Sequence, residues 1–108
     1  MPSDRIRKLN DQFRSTLSGG MVALTEGISC LCSTLKFEIL CEVQCYNKFD
    51  KGNDPYGEHD FGSFKHPIAG KIFWKIDYYN LDMKYHSEDP ADPRKTKRVL
   101  TIMLAEEY

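Results

Sequence analysis

The chain has 108 residues, a formal net charge of -1, 41% hydrophobic residues and 12% aromatic residues. That length suits one domain (1–108) with a single unstapled core, and the composition excludes a low-hydrophobicity disordered chain. The near-neutral charge excludes a global basic footprint for nucleic acid, and no apolar run is long enough to span a bilayer. The polar N-terminus "MPSDRIRKLND" is not a secretory signal and reads as that of a cytoplasmic protein.

Ser3 is placed to cap a first helix, with Asp4 in its first turn at the positive dipole end. Ile6, Leu9, Phe13 and Leu17 recur at helical spacing, and Gly19-Gly20 ends the pattern, so the spacing predicts a helix over 4–17. Its opposite face carries Arg5, Lys8, Asp11 and Arg14. "MVALT" (21–25) reads as a short strand. From Leu35 to Phe49 the helical period returns, with Leu35, Ile39, Val43 and Tyr46 on one face and Ser33 or Thr34 as the cap.

"DKGNDPYG" (50–57) is turn chemistry, and "EHDFGSF" (58–64) alternates as a strand does. Pro67 and Gly70 mark a hairpin loop before "KIFWKIDYY" (71–79), the clearest strand. There Ile72, Trp74, Ile76 and Tyr78 face one way, and Phe73, Lys75, Asp77 and Tyr79 the other. A long polar connection with two prolines (80–96) precedes the last strand, "RVLTIMLAEEY", which is apolar enough to be covered on both faces. The order helix, strand, helix, strand, strand, strand predicts an α+β fold. About four antiparallel strands would carry two helices packed mainly on one face.

The blocks "NDQFRSTLSGG", "NDPYGEHDFGSF", "IFWKIDYYN", "SEDPADP" and "RVLTIMLAEEY" run in this order from Asn10 to Tyr108. Together they resemble a family of small bacterial proteins known only as a domain of unknown function. The resemblance implies a bacterial or phage source, often on plasmids or other mobile elements. It carries over no activity, cofactor or catalytic residue.

The residues that bear chemistry fall into a few groups. Glu58, His59 and Asp60 are consecutive, so on a strand His59 points away from the two carboxylates. If strands 58–64 and 71–79 pair, His59 meets Lys75 and Asp77 across the sheet, as an acid/base or a structural cluster. Asp54, with the glycines, reads as a turn-maker. Cys30, Cys32, Cys41 and Cys45 have gaps of one, eight and three residues, which departs from zinc-knuckle spacing. Reduced thiols packed in the core are the expectation, with no metal and no cofactor.

The acidic loops 50–60 and 77–92 would form a rim, with Asp54, Tyr56, Glu58, Asp60, Glu88, Asp89 and Asp92 as partner contacts. The expected function is a small, non-enzymatic binding protein. It would act as a mobile-element inhibitor or accessory factor docking on a bacterial protein complex, such as a CRISPR effector or a restriction enzyme. Direct nucleic-acid binding is not expected, because the basic groups sit beside acidic loops. Two other classes stay open: a metal-dependent hydrolase centred on His59 and Asp77, and a DNA-binding plasmid or phage regulator that uses the basic first helix.

Overall fold

A computed structural model describes residues 2–108. Helix α1 spans Pro2–Thr16, strand β1 Met21–Leu24, helix α2 Glu26–Ser29 and helix α3 Ser33–Gln44. Strands β2 (Phe61–His66), β3 (Gly70–Tyr79) and β4 (Lys97–Leu104) follow, and a 3₁₀ turn over Ala105–Glu107 closes the chain. No helix among the described residues is long and apolar enough to cross a membrane.

The four strands make one sheet in the order β1-β4-β3-β2. β2–β3 and β3–β4 are antiparallel, as expected, but β1 runs parallel to β4, so the sheet is mixed. The reason lies in the connection. β1 is followed by α2 and α3 rather than by a hairpin, and the intervening helices let it return in the same direction as β4.

All three helices contribute to one core against one sheet face. Ile6 and Phe13 of α1, Ile28 of α2 and Ile39 and Val43 of α3 join Ile72, Trp74, Ile76, Tyr78, Leu100 and Ile102. The strand alternation of β3 thus holds residue for residue. Val99 and Met103 point to the other face and are also buried. Their cover there comes from within the sheet, where Met21 and Asp77 flank Val99 and Phe73 flanks Met103.

Several boundaries move, each for a local reason. α1 begins at Pro2, whose fixed φ suits a first helical turn, so Ser3 lies inside the helix rather than capping it. Leu17 adopts a φ of 58°, which ends α1 one residue before its predicted end. α3 stops at Gln44 and its N-cap is Cys32, so neither Ser33 nor Thr34 caps it. Tyr46 nevertheless stays in the core. β2 starts at Phe61 rather than Glu58, and β4 gives way to the closing turn at Ala105.

The β2–β3 hairpin turn is tied by a histidine. His66 is buried, and its Nδ1 accepts hydrogen bonds from the backbone N–H groups of Ile68 and Ala69, both at 3.1 Å. With Nδ1 accepting, Nε2–H is the donor to Glu38 Oε1 of α3 at 2.8 Å. One ring therefore holds the turn together and pins it to a helix.

Candidate functional site

Sheet topology places the two acid-bearing loops together. β2 begins, β3 ends and β4 begins at the same end of the sheet, so loops 45–60 and 80–96 meet there. α1 runs past both loops, and two polar networks built on it fix them in place.

The first network starts from Asn10, which is 0% exposed. Its Oδ1 accepts a hydrogen bond from Arg98 Nε at 2.8 Å. Its Nδ2 donates to Tyr78 Oη at 2.8 Å and to the Glu58 carbonyl at 3.0 Å. Tyr78 Oη in turn donates to Glu58 Oε1 at 2.9 Å. Arg98 also donates to the Pro90 carbonyl and lies with its guanidinium carbon 5.2 Å from the Tyr78 ring centre. A buried cation is thus joined to a half-buried carboxylate through an amide and a phenol. Burial lowers the Arg98 pKa from its ordinary value, with Tyr78 and Glu58 opposing that shift. Burial also holds the Tyr78 phenol above its ordinary value, so it remains a donor.

The second network starts from Arg14, also buried. It donates to the carbonyls of Val43 and Tyr46, both at 3.0 Å, and to Asp11 Oδ1 at 3.3 Å. Its guanidinium carbon lies 5.2 Å from the Phe49 ring centre and 5.0 Å from that of Trp74. The carbonyls at the C-terminal end of α3 and just beyond therefore receive a buried cation, that of Val43 alongside the Tyr46 N–H at 3.3 Å. Asp11 continues the chain to His59, whose Nδ1 lies 2.9 Å from Oδ1.

His59 is where expectation and structure part. It has a φ of 56° and precedes β2, so strand alternation does not apply to it. The left-handed kink turns the ring back toward α1. The ring stacks on Phe49 at 3.8 Å between centres, and Nε2 lies 3.7 Å from Asp54 Oδ2. Lys75 and Asp77 pair with each other at 3.0 Å on the face away from the helices. No hydrogen bond or ion pair among the described residues links them to His59. The cross-sheet His59–Lys75–Asp77 cluster is therefore replaced by an Asp11–His59–Asp54 arrangement. Both ring nitrogens face carboxylates, which suits a clamp between α1 and the loop. Arg14, Tyr46, Asn47 and Phe49 line a shallow depression with Asp11 and His59, about 310 Å³ in volume.

The acidic contacts also sort themselves. Asp54 is 8% exposed, and its Oδ1 accepts from the backbone N–H groups of Glu58 and His59 at 2.9 and 3.1 Å. It organises the loop from inside, as the turn-maker expected of it, and its burial corrects its place among the surface contacts. Glu58 is half-buried and occupied by Tyr78. Asp60 is half-buried too, and burial first, then Glu58, Asp54 and Asp77, raise its pKa from the ordinary value of 3.8. Tyr56 is 78% exposed, and Glu88 and Asp89 are exposed. Asp92 is half-buried and accepts from the Arg94 N–H at 2.9 Å.

The 80–96 connection is bonded to itself and to α1. Ser87 and Thr96 are buried and bonded to each other at 2.7 Å, and Arg5 of α1 donates to the Ala91 carbonyl at 2.7 Å. The cysteines are free thiols, and Cys30, Cys32 and Cys45 are exposed, with only Cys41 half-buried. Core packing of the thiols is thus corrected. Ile39 and Val43 fill the buried stripe of α3, which leaves Cys41 and Cys45 to its flanks. Among the described residues, no group of three or more His, Cys, Asp and Glu is placed to hold a metal ion.

The raised Asp60 pKa has a signed consequence. A carboxyl with a folded-state pKa above its unfolded value opposes folding once ionised, and the penalty vanishes as pH falls below the unfolded value. Asp60→Asn is expected to raise the melting temperature at neutral pH and to leave it unchanged below about pH 3.8. Thermal unfolding followed across that range checks it, and an equal gain at every pH would exclude this cause.

Asn10 and Arg14 were missed as site residues because α1 carries them among surface charges. The signal was there: Asn10 is four residues from Ile6 and three from Phe13, on the buried stripe itself. No curated protein and no solved structure matches the chain. A family model described as "Protein of unknown function (DUF3768)" matches residues 24–107, from the last residue of β1 to the closing turn. The chain therefore belongs to the DUF3768 family.

Proposed function

We propose that this protein is a small binding module that docks by its acidic loop end on a basic surface of a partner protein complex. One observation carries the reading: the sheet order brings loops 45–60 and 80–96 to the same end, each with an exposed tyrosine, Tyr56 or Tyr85, and carboxylates of its own. Exposed aromatic anchors within a charged rim are the anatomy of a docking surface, and the charges steer encounter. The contact set narrows to Tyr56, Asp60, Glu88, Asp89 and Asp92, since Asp54 and Glu58 are committed to the loop's own bonds. The buried networks behind them support a pre-ordered surface, which lowers the entropic cost of binding.

Bacterial defence assemblies that handle nucleic acid present basic surfaces of this kind. Inhibition or accessory control of a CRISPR effector or a restriction enzyme is the narrower form of the proposal. The resemblance to a bacterial, mobile-element family favours it. The hydrolase reading loses its centre, because His59 is clamped by Asp11 and Asp54 and Asp77 pairs with Lys75.

Charge reversal tests the surface. Purified effectors and restriction enzymes are titrated against the native chain and against the variant Asp60→Lys/Glu88→Lys/Asp89→Lys. Native binding is expected to be salt-sensitive, and the variant's association rate to fall about tenfold or more with its circular dichroism unchanged. Equal binding by both chains would remove the acidic-surface mechanism.

A further inference from the structure

The sheet face away from the helices has a different character from the loop end. Alternation along β2 and β3 gathers Lys65, Lys71 and Lys75 on it, interleaved with Phe61 and Phe73. Tyr108 folds back onto the same face. Its ring centre lies 5.1 Å from that of Phe73 and 5.9 Å from that of Phe61, and the residue is 73% exposed. Lys71 Nζ lies 5.3 Å from the Phe73 ring centre.

The lysines are arranged at a cost. Lys65 and Lys71 are direct cross-strand partners, and both are exposed. Like charges directly opposite each other destabilise a strand pair. Among the described residues neither lysine forms an ion pair, and Asp77, the carboxylate of β3 on this face, is paired with Lys75 at 3.0 Å. An anion lying across the hairpin would relieve this repulsion. The aromatic rings beside it offer flat faces at the same level.

Cations interleaved with half-exposed rings on an uncovered sheet form a surface for unstacked bases and their phosphates. We propose that this face binds single-stranded nucleic acid. Bases would stack on Tyr108 and Phe73, and Lys65 and Lys71 would meet the backbone. The near-neutral total charge conceals the site, because the fold leaves Lys65 and Lys71 at the far end of the hairpin from the acidic loops. The proposal is independent of the docking reading, as the two surfaces share no residue.

The test is fluorescence anisotropy with labelled oligothymidylate and oligouridylate at low and rising salt. The full-length chain is expected to bind at least one of them, with affinity falling as salt rises. Tyr108→Ala, at an exposed position, is expected to weaken binding about 5- to 150-fold, the value of one stacked base. Lys65→Glu/Lys71→Glu is expected to flatten the log–log salt slope by about 1.4, at roughly 0.7 per phosphate contact. The acidic-loop variant, more basic by its charge reversals, is expected to bind at least as tightly as the native chain. Three outcomes would overturn the proposal: no binding at low salt, binding unchanged in both face variants, or equal competition by polyglutamate, which would indicate an acidic protein partner.

Discussion

Replacing Asn10 by leucine is expected to lower the unfolding free energy by about 2–4 kcal/mol, the cost of leaving several buried polar groups short of a hydrogen bond. Leucine matches the amide closely in shape, so the loss isolates hydrogen bonding. Arg98 Nε would lose its acceptor, Tyr78 Oη its donor and the Glu58 carbonyl its donor. Arg98 would keep the Pro90 carbonyl as its hydrogen-bond acceptor. Urea unfolding at neutral pH measures the change. Arg98→Met in the same chain is expected to return part of the loss, because removing both partners leaves fewer orphaned groups than removing one. A cost below about 1 kcal/mol, the value of a single ordinary hydrogen bond, would show that water replaces the network.

Arg14→Met is expected to cost about 3 kcal/mol, by removing the charge-assisted hydrogen bonds to the Val43 and Tyr46 carbonyls and freeing Phe49 and Trp74 of their shared cation. The informative companion is Arg14→Lys. Lysine keeps the charge, but its compact ammonium lacks the planar fork that reaches Val43, Tyr46 and Asp11 together. Both variants are therefore expected to lose stability and to speed amide hydrogen exchange in residues 45–60, with the N-terminal turns of α3 less affected. If Arg14→Lys were as stable as the native chain, charge alone would suffice and the fork geometry would be incidental. Asn10 and Arg14 are four residues apart on one helix face, so their effects on the loops are expected to be non-additive.

Much of the scaffold was legible from periodicity. The alternation of Ile72, Trp74, Ile76 and Tyr78 identified the core face of β3, and Ile6 and Phe13 the buried stripe of α1. Both patterns survive because burial of large apolar groups dominates local preference. The direction of β1 was not legible, since four residues of "MVAL" fit a parallel or an antiparallel neighbour equally well. The single turn of α2 was too short to show a period. The site was legible only in part. Its acidic loops were found by composition and Asp54 by its turn chemistry, but the kink at His59 depends on a backbone angle that neighbouring residue types do not specify. Buried arginines escape for a related reason: in a sequence they look like any surface charge, and only their partners, 29 and 88 residues away, distinguish them.

The sheet order carries a consequence for how the chain folds. β4 is the last strand in sequence, yet it lies between β1 and β3. Until residues 97–104 arrive, β1 has no neighbour and the helices have only a β2–β3 hairpin to rest on. The register that joins Met21 to Val99 closes a long loop, whose entropy must be met before the pairing is rewarded. Folding is therefore expected to be slow for a chain of this size and to complete in one late step. Its rate would be most sensitive to substitutions in β4.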